Sequence, residues 1–224
     1  EPMASPEVRV FCTSKRGIER ELSIRTIGAE TFCQAGLPGD TYSVLVKPVH
    51  TTGDKWYFME VDDLITFCHP VMEDGWVHFE GVHTFHAGKK WFQPFQFVQS
   101  SGTGAGFASS GQWDIYEVTM MPLRNNEPPP GLTGESNLPH SGDNKDFVPP
   151  KSRATAPSFK DGCALKLCTG LGQATTTDTL ANTKVKAMPG SKKFLFSVGY
   201  RTDEVIDELK RKVASEEGGK LKKP

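Results

Sequence analysis

Eight short runs in the first 124 residues carry apolar side chains that mostly alternate with polar ones, and turn residues separate the runs. They cover residues 8–12, 21–26, 42–49, 55–60, 64–68, 76–85, 91–99 and 113–121 and are rich in Val, Ile, Phe, Tyr and Trp. Successive side chains of a strand point to opposite faces, so this pattern marks strands with one buried face. Lys15-Arg16-Gly17, Leu37-Pro38-Gly39-Asp40, Thr52-Gly53-Asp54, Glu73-Asp74-Gly75 and Ala87-Gly88 supply the reversals. No ten-residue amphipathic helix pattern interrupts them. The expected fold is mainly β: an antiparallel β-sandwich or jelly-roll-like domain over residues 1–124.

The chain then changes character. Seven of its 16 prolines fall within residues 125–158, among them Pro128, Pro129, Pro130, Pro149 and Pro150. Proline lacks the ladder donor and fixes its backbone, so this segment reads as an extended arm or linker. Residues 159–224 return to short β-like pieces at 163–167, 183–187 and 193–198, too few for a sheet of their own. They are expected to join the first sheet or to pair with a partner. One helix is expected near the end, over about residues 202–217. Thr202 suits its N-cap, Asp203 and Glu204 suit its first turn, and Gly218-Gly219 reads as its stop. Val205, Ile206, Leu209 and Val213 make one narrow apolar stripe along it.

Charge divides along the same line. Residues 1–144 hold 10 Lys+Arg against 18 Asp+Glu, and residues 145–224 hold 16 against 9. Parts of opposite sign attract one another or meet different partners. The positive charges are too scattered to argue for nucleic acid. Five cysteines, with no Cys-x-x-Cys pair, leave at least one thiol free. No apolar run approaches the roughly 20 residues that span a bilayer. The start, Glu-Pro-Met-Ala-Ser-Pro, has no signal-peptide pattern and no initiator Met, and reads as a processed end; the compartment stays unassigned.

All four tryptophans lie within residues 56–113, and five of the six histidines within residues 50–86. Trp76, His78 and Glu80 alternate against Val77 and Phe79, which places Trp76 on the wet side of its strand. Trp76, Trp91 and Phe95 are the candidate aromatic anchors for a partner; the competing reading is that such rings fill the core. Exposed coplanar tryptophans would instead stack on sugar rings. His78, Glu80, His83 and His86 are the candidate metal ligands. A regular strand groups His78, Glu80 and His86, whereas a bulge at Gly81 groups His78, Glu80 and His83. Glu60, Asp62 and Asp63, like Glu73 and Asp74, abut turns where carboxylates are common. Neither a Gly-x-Ser-x-Gly elbow nor a phosphate loop is present.

These features point to a non-enzymatic structural or interaction subunit, without a cofactor, held in a larger oligomeric protein assembly. The contacts would come from the aromatic β-face, the proline-rich arm and the stripe Val205, Leu209 and Val213. A carbohydrate-binding β-sandwich is the alternative, and a metal-dependent enzyme with a His/Glu site is the third reading.

Overall fold

The structure is a computed structural model that describes residues 6–49, 53–61, 64–65, 69–86, 89–99, 111–122, 167–176 and 185–220. Pro128, Pro129, Pro130, Pro149 and Pro150 of the expected arm lie outside the described residues. In chain order the strands are β1 (Glu7–Thr13), β2 (Glu19–Glu21), β3 (Ile24–Ile27), β4 (Glu30–Gln34), β5 (Thr41–Lys47), β6 (Lys55–Val61), β7 (Leu64–Ile65), β8 (His69–Pro70), β9 (Val77–Phe79), β10 (Gly81–His86), β11 (Lys89–Gln99), β12 (Gln112–Pro122), β13 (Leu167–Leu171), β14 (Thr175–Thr176), β15 (Val185–Ala187) and β16 (Lys193–Arg201). One helix, α1 (Asp203–Lys220), follows. Among the described residues the strands form two sheets of a mainly β sandwich, with one helix near the C-terminal end.

The first sheet runs β10-β11-β5-β1-β2, with β9 on β5 and with β13 and β14 on β11. The second runs β3-β4-β16-β12-β6-β7, with β15 on β12 and β8 on β6. Among the described residues, all pairings are antiparallel except β16 with β4. The pieces beyond residue 159 therefore pair inside the two sheets, and β16 lies between β4 and β12.

Several expected strands divide where the chain changes neighbours. The run 21–26 breaks at Leu22-Ser23, because Leu22 N–H bonds Val10 in the first sheet whereas the Ser23 carbonyl accepts from Gln34 in the second. The run 76–85 breaks at Glu80: β9 pairs with β5, and β10 pairs with the first half of β11. The backbones meet so closely there that a Cβ on Gly81 would strike the Gln93 carbonyl and Pro94 Cα. Residues 163–166 and 183–184 of the expected strands lie outside the described residues, and β13 begins at Leu167. The helix continues through Gly218-Gly219 to Lys220 and does not stop at them. The Thr202 carbonyl accepts from Ile206, as an N-cap backbone should, but its hydroxyl has no partner among the described residues.

The core lies between the sheets. Val10, Val44 and Val46 from the first sheet meet Tyr57, Met59, Val61 and Ile115 from the second. At its centre Tyr42 stacks on Phe97 (4.4 Å between ring centres) and Phe95 (5.4 Å), and Trp113 stacks on Tyr200 (5.1 Å). Trp113 Nε1–H donates to the Tyr42 hydroxyl at 3.1 Å, Tyr42 and Thr169 hydroxyls meet at 2.7 Å, and Thr169 donates to Tyr200 at 3.0 Å. Buried polar groups are tolerated only when paired in this way.

Candidate functional site

Strands β6, β12 and β16 lie side by side, and their registers decide which side chains share the outer face of the second sheet. Phe58 sits opposite Tyr116, and Tyr116 opposite Phe194. One step along, Glu60 sits opposite Asp114, and Asp114 opposite Ser197. An aromatic row thus runs across three strands beside a polar row. A β-bulge shifts the β12–β16 register between Ile115 and Tyr116. That shift lets Leu195 and Phe196 both pack on the main core while Phe194 faces outward.

The aromatic row is tightly built. Phe58 and Tyr116 stack with ring centres 4.9 Å apart and planes 9° from parallel, and Phe194 meets Tyr116 edge-on at 5.6 Å. Val118, Met120 and Trp56 extend the cluster. Lys192 Nζ lies 4.1 Å from the Tyr116 ring centre and 5.0 Å from that of Phe58, and it pairs with Glu60 Oε1 at 2.7 Å. Burial, then the Glu60 and Asp114 charges, push the Tyr116 phenol above its ordinary range. Asp114 accepts from Ser197 Oγ and from Gln112 Nε2 at 3.1 and 3.2 Å. Phe194 stays 53 % exposed.

The candidates read from the sequence are dispersed over the molecule. Trp76 is half-buried on the outer side of the first sheet, with Val77 and Phe79 fully buried beneath it, as their alternation requires. Its ring lies 5.7 Å from Lys47 Nζ and 5.9 Å from the Arg9 guanidinium. Arg9 in turn holds Glu21 through two bonds of 2.8 and 2.6 Å. Trp91 is half-buried on β11, and its indole N–H has no acceptor among the described residues. Phe95 is fully buried against Tyr42, so it serves the core and offers no surface to a partner. Val205 and Leu209 are likewise consumed inside the molecule: they pack on Phe32 and Ile27 of the second sheet, with Val213 half-buried farther along the helix.

His78 is engaged with carboxylates. Its Nε2 lies 2.9 Å from Asp74 Oδ2, and its Nδ1 lies 3.8 Å from Glu80. The strand ends at Phe79, where β9 leaves β5, and His83 lies on the separate strand β10, half-buried. His83 packs beside Phe92 at 4.9 Å, and burial lowers its pKa. His86 belongs to β10, with its side chain outside the described part. Among the described residues no three His, Cys, Asp or Glu side chains converge as a metal site would need.

Sequence reasoning missed Phe58, Tyr116, Phe194, Lys192, Asp114 and Ser197. The available signal was the consecutive apolar stretch Tyr57-Phe58-Met59, which marks a strand covered on both faces. The chain matches no family model, and comparisons with curated proteins and with solved structures return no match.

Proposed function

We propose that this protein is a non-catalytic interaction module that docks on a protein partner through the outer face of its second sheet. The observation that carries the reading is Phe194, more than half exposed at the end of an ordered aromatic row. Large exposed rings on a rigid sheet are the usual anchors of protein interfaces. Glu60 already holds Lys192, so the partner surface that meets Phe194 would be mainly apolar. The mutual stacking of Phe58 and Tyr116 favours this reading over carbohydrate, because a sugar needs a free ring face and Phe58 and Tyr116 cover one another. Trp76 supports the same preference, since two cations lie against its ring.

The test is light scattering after size exclusion of the protein gently extracted from its source, beside a Phe194→Ser form. The native protein is expected to travel far above its monomer mass, and the variant to elute as a monomer with an unchanged denaturation midpoint. A native monomer, or a variant that still co-elutes with the partner, overturns the reading.

A further inference from the structure

The two most exposed large apolar side chains among the described residues are Leu37 (69 %) and Ile18 (64 %). They lie far apart in sequence, yet the strand registers bring them to one end of the first sheet. Thr13, the last residue of β1, sits opposite Glu19 at the start of β2 and opposite Thr41 at the start of β5. Ile18 immediately precedes β2, and Leu37 lies in the turn that leads into β5.

Both turns are held firmly, so neither side chain is left outside by default. In the first, Gly17 N–H bonds the Ser14 carbonyl at 2.8 Å and Ile18 N–H bonds Ser14 Oγ at 3.1 Å. Gly17 takes φ +76°, a conformation that side-chain-bearing residues avoid. In the second, Asp40 closes the turn from both ends: its N–H donates to the Leu37 carbonyl at 3.0 Å, and its carboxylate accepts from Leu37 N–H at 3.1 Å. Gly39, at φ +93°, is anchored to the Phe97 carbonyl at 2.7 Å. Lys15 lies across Gly39, where an added Cβ would strike its side chain, and so ties the two turns together.

The charge around these tips is positive. Lys15, Arg16 and Arg20 are all exposed, against Glu19. Lys15 and Arg16 form no ion pair among the described residues. Two aliphatic points projecting from convex turns present far less area than the roughly 800 Å² per partner that a stable protein interface uses. A fluid lipid interface needs no such complementary area. It accepts isolated aliphatic side chains at the headgroup boundary and attracts the cations beside them. We propose that this end of the sandwich docks on an anionic phospholipid surface, with Ile18 and Leu37 entering the interface and Lys15 and Arg16 facing the headgroups.

Flotation of the full chain with vesicles tests this. Vesicles of phosphatidylcholine with about one-third phosphatidylserine should carry the protein at low salt, and pure phosphatidylcholine should not. Binding should weaken as salt screens the contacts. Lys15→Ala with Arg16→Ala should lower the partition about thirty-fold, at roughly 1 kcal/mol per cation. Ile18→Ser with Leu37→Ser should also lower it. All these side chains are exposed, so the denaturation midpoint serves as the folding control. Failure to float with anionic vesicles overturns the proposal, as does undiminished binding by the Ile18/Leu37 variant. Binding to soluble polyglutamate without binding to vesicles also overturns it and assigns the tip to an acidic protein.

Discussion

Tyr42 serves the core twice. Its ring stacks on Phe95 and Phe97, and its hydroxyl joins both sheets to β13. Thr169 spends its hydrogen on Tyr200, so Tyr42 must donate to Thr169 while accepting from Trp113. The chain of donors then has one direction, from Trp113 through Tyr42 and Thr169 to Tyr200. Tyr42→Phe keeps the stacking but removes the acceptor of the Trp113 N–H. A buried donor left in this state costs about 1–3 kcal/mol, which denaturant unfolding will report. The same scale shows how far a linear reading reaches. Trp76 could be placed outside from Val77 and Phe79 alone, because alternation is local. Phe194 could not, because its outward position depends on a bulge against β12, a strand whose first residue lies 82 positions earlier in the chain.

Among the elements, α1 illustrates a stripe whose partner was already present. Val205 and Leu209 cover Phe32, and Phe32 lies over Gly199 and stacks with the buried Arg201 guanidinium at 5.3 Å. Leu209→Ala should cost about 2–4 kcal/mol in a denaturant titration, because it opens a gap between helix and sheet. β4 escaped sequence reading for the same reason. Cys33 points into the main core and Phe32 points under the helix, so both are buried and the strand shows no alternation. β1, β5, β6, β11 and β12 were legible because at least part of each keeps one wetter face. The crossings at Leu22-Ser23 and at Glu80 were not, since a change of sheet leaves the local pattern of side chains almost untouched.

The molecule as a whole should fail in alkali before its peptide chemistry does. Burial first, and the Asp40 charge second, push the Cys12 thiol up to about 11. Burial pushes Cys33 higher still, and burial with Glu117 raises the Tyr57 phenol to about 12. All three folded-state values lie above the ordinary ones, so the unfolded chain releases these protons first. The stability these three groups contribute should therefore be constant below about pH 8 and fall as pH rises from there, and a series of urea titrations on the alkaline side will show it. The connectivity makes a second whole-chain prediction. A fragment ending at residue 124 lacks β16, the strand between β4 and β12, together with α1 over Phe32. It should show no cooperative unfolding transition by circular dichroism. In a cell, the same arrangement imposes a delay. A ribosome adding 5–20 residues per second needs roughly 4–16 s to go from the end of β12 to the end of β16. Throughout that interval the growing chain holds two open strand borders, on β4 and β12, that its own last strand will later join. A nascent chain of this design leaves the slot between those strands open to pairing with a neighbouring chain until its own last strand arrives.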